Sequence, residues 1–546
     1  MTMPRQPADR RSPSNSQLAL DFEEVIKQAE VLSRDEVAAR SQPVEGLLGY
    51  DPVAQTSHYM QRAVQFEEAW ETTIENAREQ LLNRDARELY LDFLSDLTRE
   101  IEQGSPRAAR LADLLESVAI RGLGMTRQHL SIAPPSRGGS RWRIRFNADA
   151  IEEHLSHHIE GGSFLNRISA NKQPWGGRPL RLGASDVSQH RSAVPVPARF
   201  FKRSVPFVLN NAAGTLFSVE DQHPRYENVF NPKPNEELLR WMLIDPSYQD
   251  DLEPEDYERC LASAMDVGHC KFDLDYLLKS DKRPDLIFRD GSLFPQDAYL
   301  DNFVILSKRG VFTREAIREL LGCLLHAREY GVIYCGVAKN IQLKVYSAVV
   351  DWYIARHIDP NWEIGGYTLN DGQAMSLLLA SPDLVAVNLE EAVSTCLIRR
   401  SFTTRANLNT RFGAQDIASV FRACQDQHPS VDITPYERLC EIGHVYMFFI
   451  GHSKSPQQQL PRYEFFYTES LGSVSAVAER ILGALQFCSL ASDADHSFMS
   501  DKQVSYLIPT VTHQAHLLSK DVGKSIDSIT GQWIMARYRQ MLSQHV

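Results

Sequence analysis

The run from Pro284 to Leu293, Pro-Asp-Leu-Ile-Phe-Arg-Asp-Gly-Ser-Leu, reads as a buried strand that ends on the carboxylate of Asp290. Ligand sites in open α/β sheets gather at the carboxyl ends of strands, where the chain turns away. A carboxylate at that place, with Gly291 allowing a tight turn, suits a hard divalent cation. Taken alone, Asp-Gly-Ser is also an ordinary solvated turn. The stretch Leu182 to His190 repeats the pattern, since small and apolar residues lead into Asp186, Val187 and Ser188. Phe272 to Leu278 adds two more acids, Asp273 and Asp275, on a predicted amphipathic helical segment for which a solvated face is the favoured account when it is taken alone. Near the C-terminus, Pro509 suits the opening of a helix that sets His513 and His516 three apart on one face. The His-Glu-x-x-His signature of a zinc protease is absent there.

These residues need elements to hold them. Short β-type runs occur at Trp142–Phe146, Val205–Asn210, Leu286–Arg289 and Val332–Val337. Between the last two, Ile317, Leu320, Leu321, Leu324 and Leu325 form an apolar helical stripe. Thr313 is its predicted N-cap, and Gly331 is the predicted residue after its C-terminus. Strand, helix and strand in that order predict a parallel βαβ unit in a mixed sheet. Residues 20 to about 130 read as helical instead, with a break at Gly104-Ser105-Pro106 and a Pro/Gly-rich linker from Pro134 to Gly139.

Composition bounds the function without choosing it. A chain of 546 residues exceeds one ordinary core, and 43% hydrophobic with 23% charged residues is normal for a globular protein. The net charge of −12 argues against a broadly basic nucleic-acid coat, although metal carboxylates beside a local basic groove remain compatible with it. The eight cysteines form no Cys-x-x-Cys pair, which favours reduced thiols and a cytoplasmic protein. No apolar run approaches the length of a membrane span, and the polar N-terminus shows no signal-peptide pattern.

In order and spacing the motifs resemble the NurA family of nucleases, over about residues 180 to 530. Asp186-Val187-Ser188 resembles the family's first Asp-Gly-Ser motif, and Asp290-Gly291-Ser292-Leu293 resembles its second. Gly336-Val337-Ala338-Lys339 is similar to its Val-Gly-Val-x-Lys strand end, and Ile508-Pro509 to Ala515-His516 is similar to its Tyr-Pro…Ala-His element. The resemblance implies an α/β fold with an RNase H-like mixed sheet flanked by helices, to which this chain adds an N-terminal helical region. The expected organisation is a disordered tail at 1–18, helices at 19–133 and a nuclease domain at 140–535. The implied activity is metal-dependent hydrolysis of DNA phosphodiesters with Mn2+ or Mg2+, in DNA end processing or anti-phage defence. Two ions about 4 Å apart would serve the attacking water and the leaving oxygen. Asp186 and Asp290 would be metal ligands, and Asp273 or Asp275 would complete the shell. His516 would bind a metal or orient the water, and Lys339 would contact a phosphate. The implied partners are DNA and a HerA-like hexameric ATPase, with the nuclease a homodimer.

The chain departs from the pattern at three places. Val187 replaces a turn glycine, Ile508 stands where the family has tyrosine, and an aspartate must replace the glutamate between the two Asp motifs. These departures support an alternative reading, a catalytically weak or inactive binding subunit of the same kind of complex.

Overall fold

The computed structural model describes residues 72–135, 142–170, 180–196, 205–220, 223–230, 254–295, 299–306, 308–339, 341, 343–362, 370–379, 391–402, 417–442, 444–451, 460–493, 512 and 515–520. The expected tail at 1–18 and the residues up to 71 lie outside these. The chain divides into two compact units, 1–73 and 74–546, and the fold described below is that of the second.

The second unit opens with helices. Asp85 caps α1 (Ala86–Glu102) by accepting from the backbone N–H groups of Arg87 and Glu88. Gly104, with φ of 76°, breaks the chain where the sequence predicts a break, and α2 (Ala108–Glu116) resumes it and runs into a π-helical turn over Ser117–Gly122. β1 (Leu130–Ala133) and β2 (Arg143–Phe146) pair antiparallel, and α3 (Ala148–His158) leads into the main sheet. Tyr90 of α1 donates to the carbonyl of Val345, and Trp352 donates to Asp96, so α1 is tied to a helix much later in the chain.

The main sheet has ten strands in a mixed arrangement flanked by helices. Its site-bearing half is β4 (Arg181–Val196), β5 (Val205–Glu220), β6 (His223–Phe230), β7 (Leu286–Asp290) and β8 (Ile333–Ala338). β4, β5 and β6 form an antiparallel meander, whereas β4, β7 and β8 run parallel. The spatial order β6-β5-β4-β7-β8 is the RNase H-like arrangement expected above. The other half is β12 (Arg462–Tyr467), which pairs with β8, then β10 (His444–Phe448) and β9 (Glu391–Arg400), with β3 (Ile159–Ser169) and β11 (Ile450–Gly451) on β9.

The predicted βαβ unit is present: β7 and β8 are parallel, and the helix Lys308–Tyr330 joins them. Gly331 ends that helix at φ of 64°, as predicted. The predicted start is wrong, because Thr313 is buried inside the helix rather than capping it. The physical reason lies one residue on. The Arg314 guanidinium takes the carbonyls of Phe303 and Ile305, which satisfies the end of the preceding turn and lets the helix begin earlier.

Two cores sandwich the sheet. One face packs Ile287 and Tyr334 with residues such as Phe272, Leu277, Ile317 and Leu324 from helices Pro254–Phe272 and Lys308–Tyr330 and the turn after the first. The other face packs Leu182, Ala184, Leu286, Phe288, Ile333, Cys335 and Val337 against helix Val474–Asp493 and Ala515. Each described cysteine is a free thiol. Among the described residues no helix is long and apolar enough to cross a membrane.

Candidate metal centre

Strand periodicity places the acids. Side chains on a strand alternate between faces, so residues two apart share one. Leu182 and Ala184 of β4 belong to the core under helix Val474–Asp493, and the next residue on that face is Asp186. Leu286 and Phe288 of β7 belong to the same core, and the next residue is Asp290. Ile333, Cys335 and Val337 of β8 continue in the same way to Lys339. Ser185 pairs with Arg289 across the parallel strands, and Asp290 pairs with Val337. The two carboxylates and the ammonium therefore stand on one face of the sheet where the parallel pairing of β4, β7 and β8 ends, although β4 itself runs on beside β5 to Val196.

The short C-terminal helical segment 515–520 closes this place from above. Ala515 is buried in the same core, which brings His516 Nδ1 to 2.6 Å from Asp186 Oδ2. The Ser519 hydroxyl, one turn on, donates to the same oxygen at 3.1 Å. Asp186 Oδ1 accepts from the backbone N–H of Val187 at 2.8 Å. Lys339 Nζ lies 2.8 Å from Asp290 Oδ2.

Asp186, Asp290 and His516 each offer one donor atom, and these atoms all lie within 4.8 Å of one another. An ion with donors at about 2.1 Å holds them up to about 4.2 Å apart, so a movement of about half an ångström suffices to close the group. The two carboxylates offer the hard oxygens that Mn2+ and Mg2+ prefer, and the imidazole beside them suits a transition ion such as Mn2+ better than Mg2+. Burial raises the Asp186 carboxyl above its ordinary value, and the charge of Asp290 raises it further against the pull of His516 and Ser519. Such a repelling pair of acids is the electrostatic setting that a divalent cation relieves.

Of the other expected ligands, neither aspartate joins the group. Asp275 is exposed and pairs with Lys279. Asp273 is fully buried on the opposite side of the sheet, where Tyr334 donates to it. The reason is local: on a helical turn residues two apart lie on opposite sides, so the two acids of Asp273–Leu278 point to different environments instead of sharing one edge. Burial pushes the Asp273 carboxyl up to about 6, opposed by Arg289, Ser185 and Tyr334. His513, Ile508 and Pro509 lie outside the described residues.

Sequence reasoning missed two groups behind the site. Ser185 and Arg289, the residues just before the two site acids, face the other side and meet one stripe of helix Pro254–Phe272. Ser185 bonds to His269 at 2.8 Å, and Arg289 bonds to Asp266 at 3.1 Å and to Cys270. Positions 266, 269, 270 and 273 have the spacing of one helical face, and that spacing was the available signal. The second group is Glu464, a charged residue in the middle of the apolar run Tyr463–Tyr467.

No protein-family model and no curated protein sequence matches this chain. Among solved structures, it is similar to one described as NurA bound to dAMP and manganese, at 7% identity and a TM-score of 0.26, covering 65% of this chain and 90% of that one. It is also similar to one described as NurA with manganese, at 9% identity and a TM-score of 0.25, covering 61% of this chain and 89% of the other. Overlays this loose carry no weight for chemistry.

Proposed function

We propose that this chain is a metal-dependent DNA nuclease whose ion is held by Asp186, Asp290 and His516. The observation that carries the reading is the meeting of these donors from three separate segments, with His516 and Asp186 lying 330 positions apart. Nothing in local folding requires that convergence. A divalent cation supplies polarisation of a phosphodiester oxygen and a bound water acidic enough to attack near neutral pH.

The chain's own groups do the rest. Asp186 and Asp290 present hard oxygens, and Lys339 stands beside Asp290, placed to meet a phosphate oxygen of the substrate. Ser519 and Val187 hold the Asp186 carboxylate in orientation. DNA as substrate rests on the motif resemblance, as do a HerA-like hexameric ATPase as partner, a homodimeric state and a role in end processing or phage defence.

The test is cleavage of end-labelled linear DNA by the purified full chain with Mn2+ and with EDTA, beside Asp290→Asn. Cleavage that needs Mn2+ and vanishes in the variant is the expected result. Equal cleavage by the variant, or activity in EDTA, overturns the assignment.

A further inference from the structure

We infer that Glu464 is the positioning residue for Asp290, acting from the opposite face of the sheet through the turn Gly291-Ser292-Leu293. This inference rests on the metal-centre reading above and adds to it a group that no site motif contains.

Glu464 lies on β12, in register with Gly336 of β8, which in turn is in register with Arg289 of β7. Its neighbours Tyr463 and Phe465 belong to the core on the metal-centre face, so Glu464 itself faces the other way. The side chain is fully buried. Gly336 has no side chain, and the turn after Asp290 folds into the space left free. A Cβ on Gly336 would stand 2.7 Å from the Gly291 carbonyl oxygen and 2.9 Å from the Leu293 nitrogen. There the carboxylate meets the turn directly: Ser292 Oγ donates to Glu464 Oε2 at 2.5 Å, and the Leu293 N–H donates to the same oxygen at 2.9 Å. Ser292 Oγ also accepts from the N–H of Phe294.

The other carboxylate oxygen takes the Arg462 Nε at 3.0 Å and Arg400 at 3.4 Å. Burial by itself would raise the Glu464 carboxyl, but the two guanidiniums and the turn's donors outweigh it and hold it at about 2. Glu464 is therefore a fixed anion with all its bonds directed. Asp290, by contrast, ends its strand and is followed by Gly291 at φ of 102°, a residue with little conformational restraint of its own. Two hydrogen-bonded anchors hold the turn after Asp290 to neighbouring strands: the Gly291 N–H bond to Val337, and Glu464. A carboxylate that must reach an ion within a few tenths of an ångström needs such support from behind. Glu464 touches neither the metal donors nor any reacting atom, so its role is positional.

The test is Mn2+ affinity of the full chain by calorimetry, for wild type, Ser292→Ala, Ser292→Thr, Glu464→Gln and Asp290→Asn. Ser292→Ala removes one anchor bond while leaving the buried carboxylate and its arginines in place, so it folds even if Glu464→Gln does not. Expected is binding weakened by about tenfold in Ser292→Ala, with the thermal midpoint nearly unchanged and affinity restored by the threonine hydroxyl. A purely structural role for the turn would lower the thermal midpoint and leave the Mn2+ affinity of the folded protein as it was. Wild-type affinity in Ser292→Ala overturns the positioning role while the metal centre stands. No Mn2+ binding by wild type, and none in Asp290→Asn, overturns the metal centre and this role together.

Discussion

His516 Nδ1 and Asp186 Oδ2 lie 2.6 Å apart, and this contact, with the Ser519 bond to the same oxygen, joins the C-terminal helical segment to the sheet at the candidate metal centre. The Asp186 side chain is nearly buried, whereas that of His516 is one-third exposed at 33%. The imidazole thus forms the open wall of the site, held in orientation by a carboxylate that is itself bonded to Ser519 and Val187. Carboxylate–histidine pairs of this kind fix the ring for metal binding.

Replacing His516 with alanine should therefore lower the rate of DNA cleavage by at least about tenfold, or ~1.4 kcal/mol of barrier. Mn2+ affinity should fall with it, because a donor is lost. Calorimetry and a cleavage time course on the same preparation check both, and unchanged values in each remove His516 from the site.

Lys339 gives a prediction of opposite sign for metal and substrate. Its ammonium pairs with Asp290 at 2.8 Å and so competes with any cation for that oxygen. Lys339→Met should bind Mn2+ at least as tightly as wild type, yet cleave DNA more slowly and with a higher KM, because a phosphate contact is gone. Weaker Mn2+ binding in the variant speaks against this arrangement.

Gly336→Ala should disturb the turn after Asp290. The added methyl would meet backbone atoms of Gly291 and Leu293 inside normal contact distance, and backbone cannot move aside as a flexible side chain can. Overpacking of this kind costs typically about 1–3 kcal/mol. A lower thermal midpoint together with weakened Mn2+ binding is expected, and a wild-type melting curve would contradict the close approach.

Acid stability should depend on a histidine stack far from the site in sequence. His154 and His158 stack at 3.7 Å between ring centres, with His129 at 4.6 Å from His154. Burial, and then the neighbouring His158, lowers His154 to about 3; burial lowers His158 to about 4, with Arg399 adding to it. The unfolded chain takes up these protons near pH 6.5, but the fold does not until about pH 4. Between those values the unfolded state binds more protons, so stability is full above about 6.5 and falls as pH drops. The thermal midpoint should decline from pH 7 to pH 5, and the double variant His154→Gln/His158→Gln should flatten that decline. Parallel pH curves for the two proteins would exclude the stack as a source.

How far the sequence reaches can be seen strand by strand. The apolar run from Leu286 and the turn at Asp290-Gly291 depend on neighbours in the chain, and both appear where the sequence puts them. The same holds for the Gly104 break, the Gly331 helix end and the parallel pairing of β7 with β8. Period-2 alternation also makes Asp186 and Asp290 continue an apolar face, because that alternation is a property of the extended backbone.

What the sequence alone could not decide is which distant groups meet there. Asp273 and Asp275 are two residues apart and look equivalent in sequence, yet one is enclosed beneath the sheet and the other is in solvent. Their helical spacing alone parts the two acids, and which of them turns inward is decided by how helix Pro254–Phe272 packs on the sheet. Glu464 sits among the aromatic residues of Tyr463–Tyr467, and its meaning comes from Gly336 and Ser292 on neighbouring segments. The pairing of His516 with Asp186 spans 330 positions and exists only because the sheet, helix Val474–Asp493 and Ala515 pack around one core. Short-range rules determine elements and their faces, whereas the meeting of donors from separate segments is fixed by packing, which is a property of the folded whole.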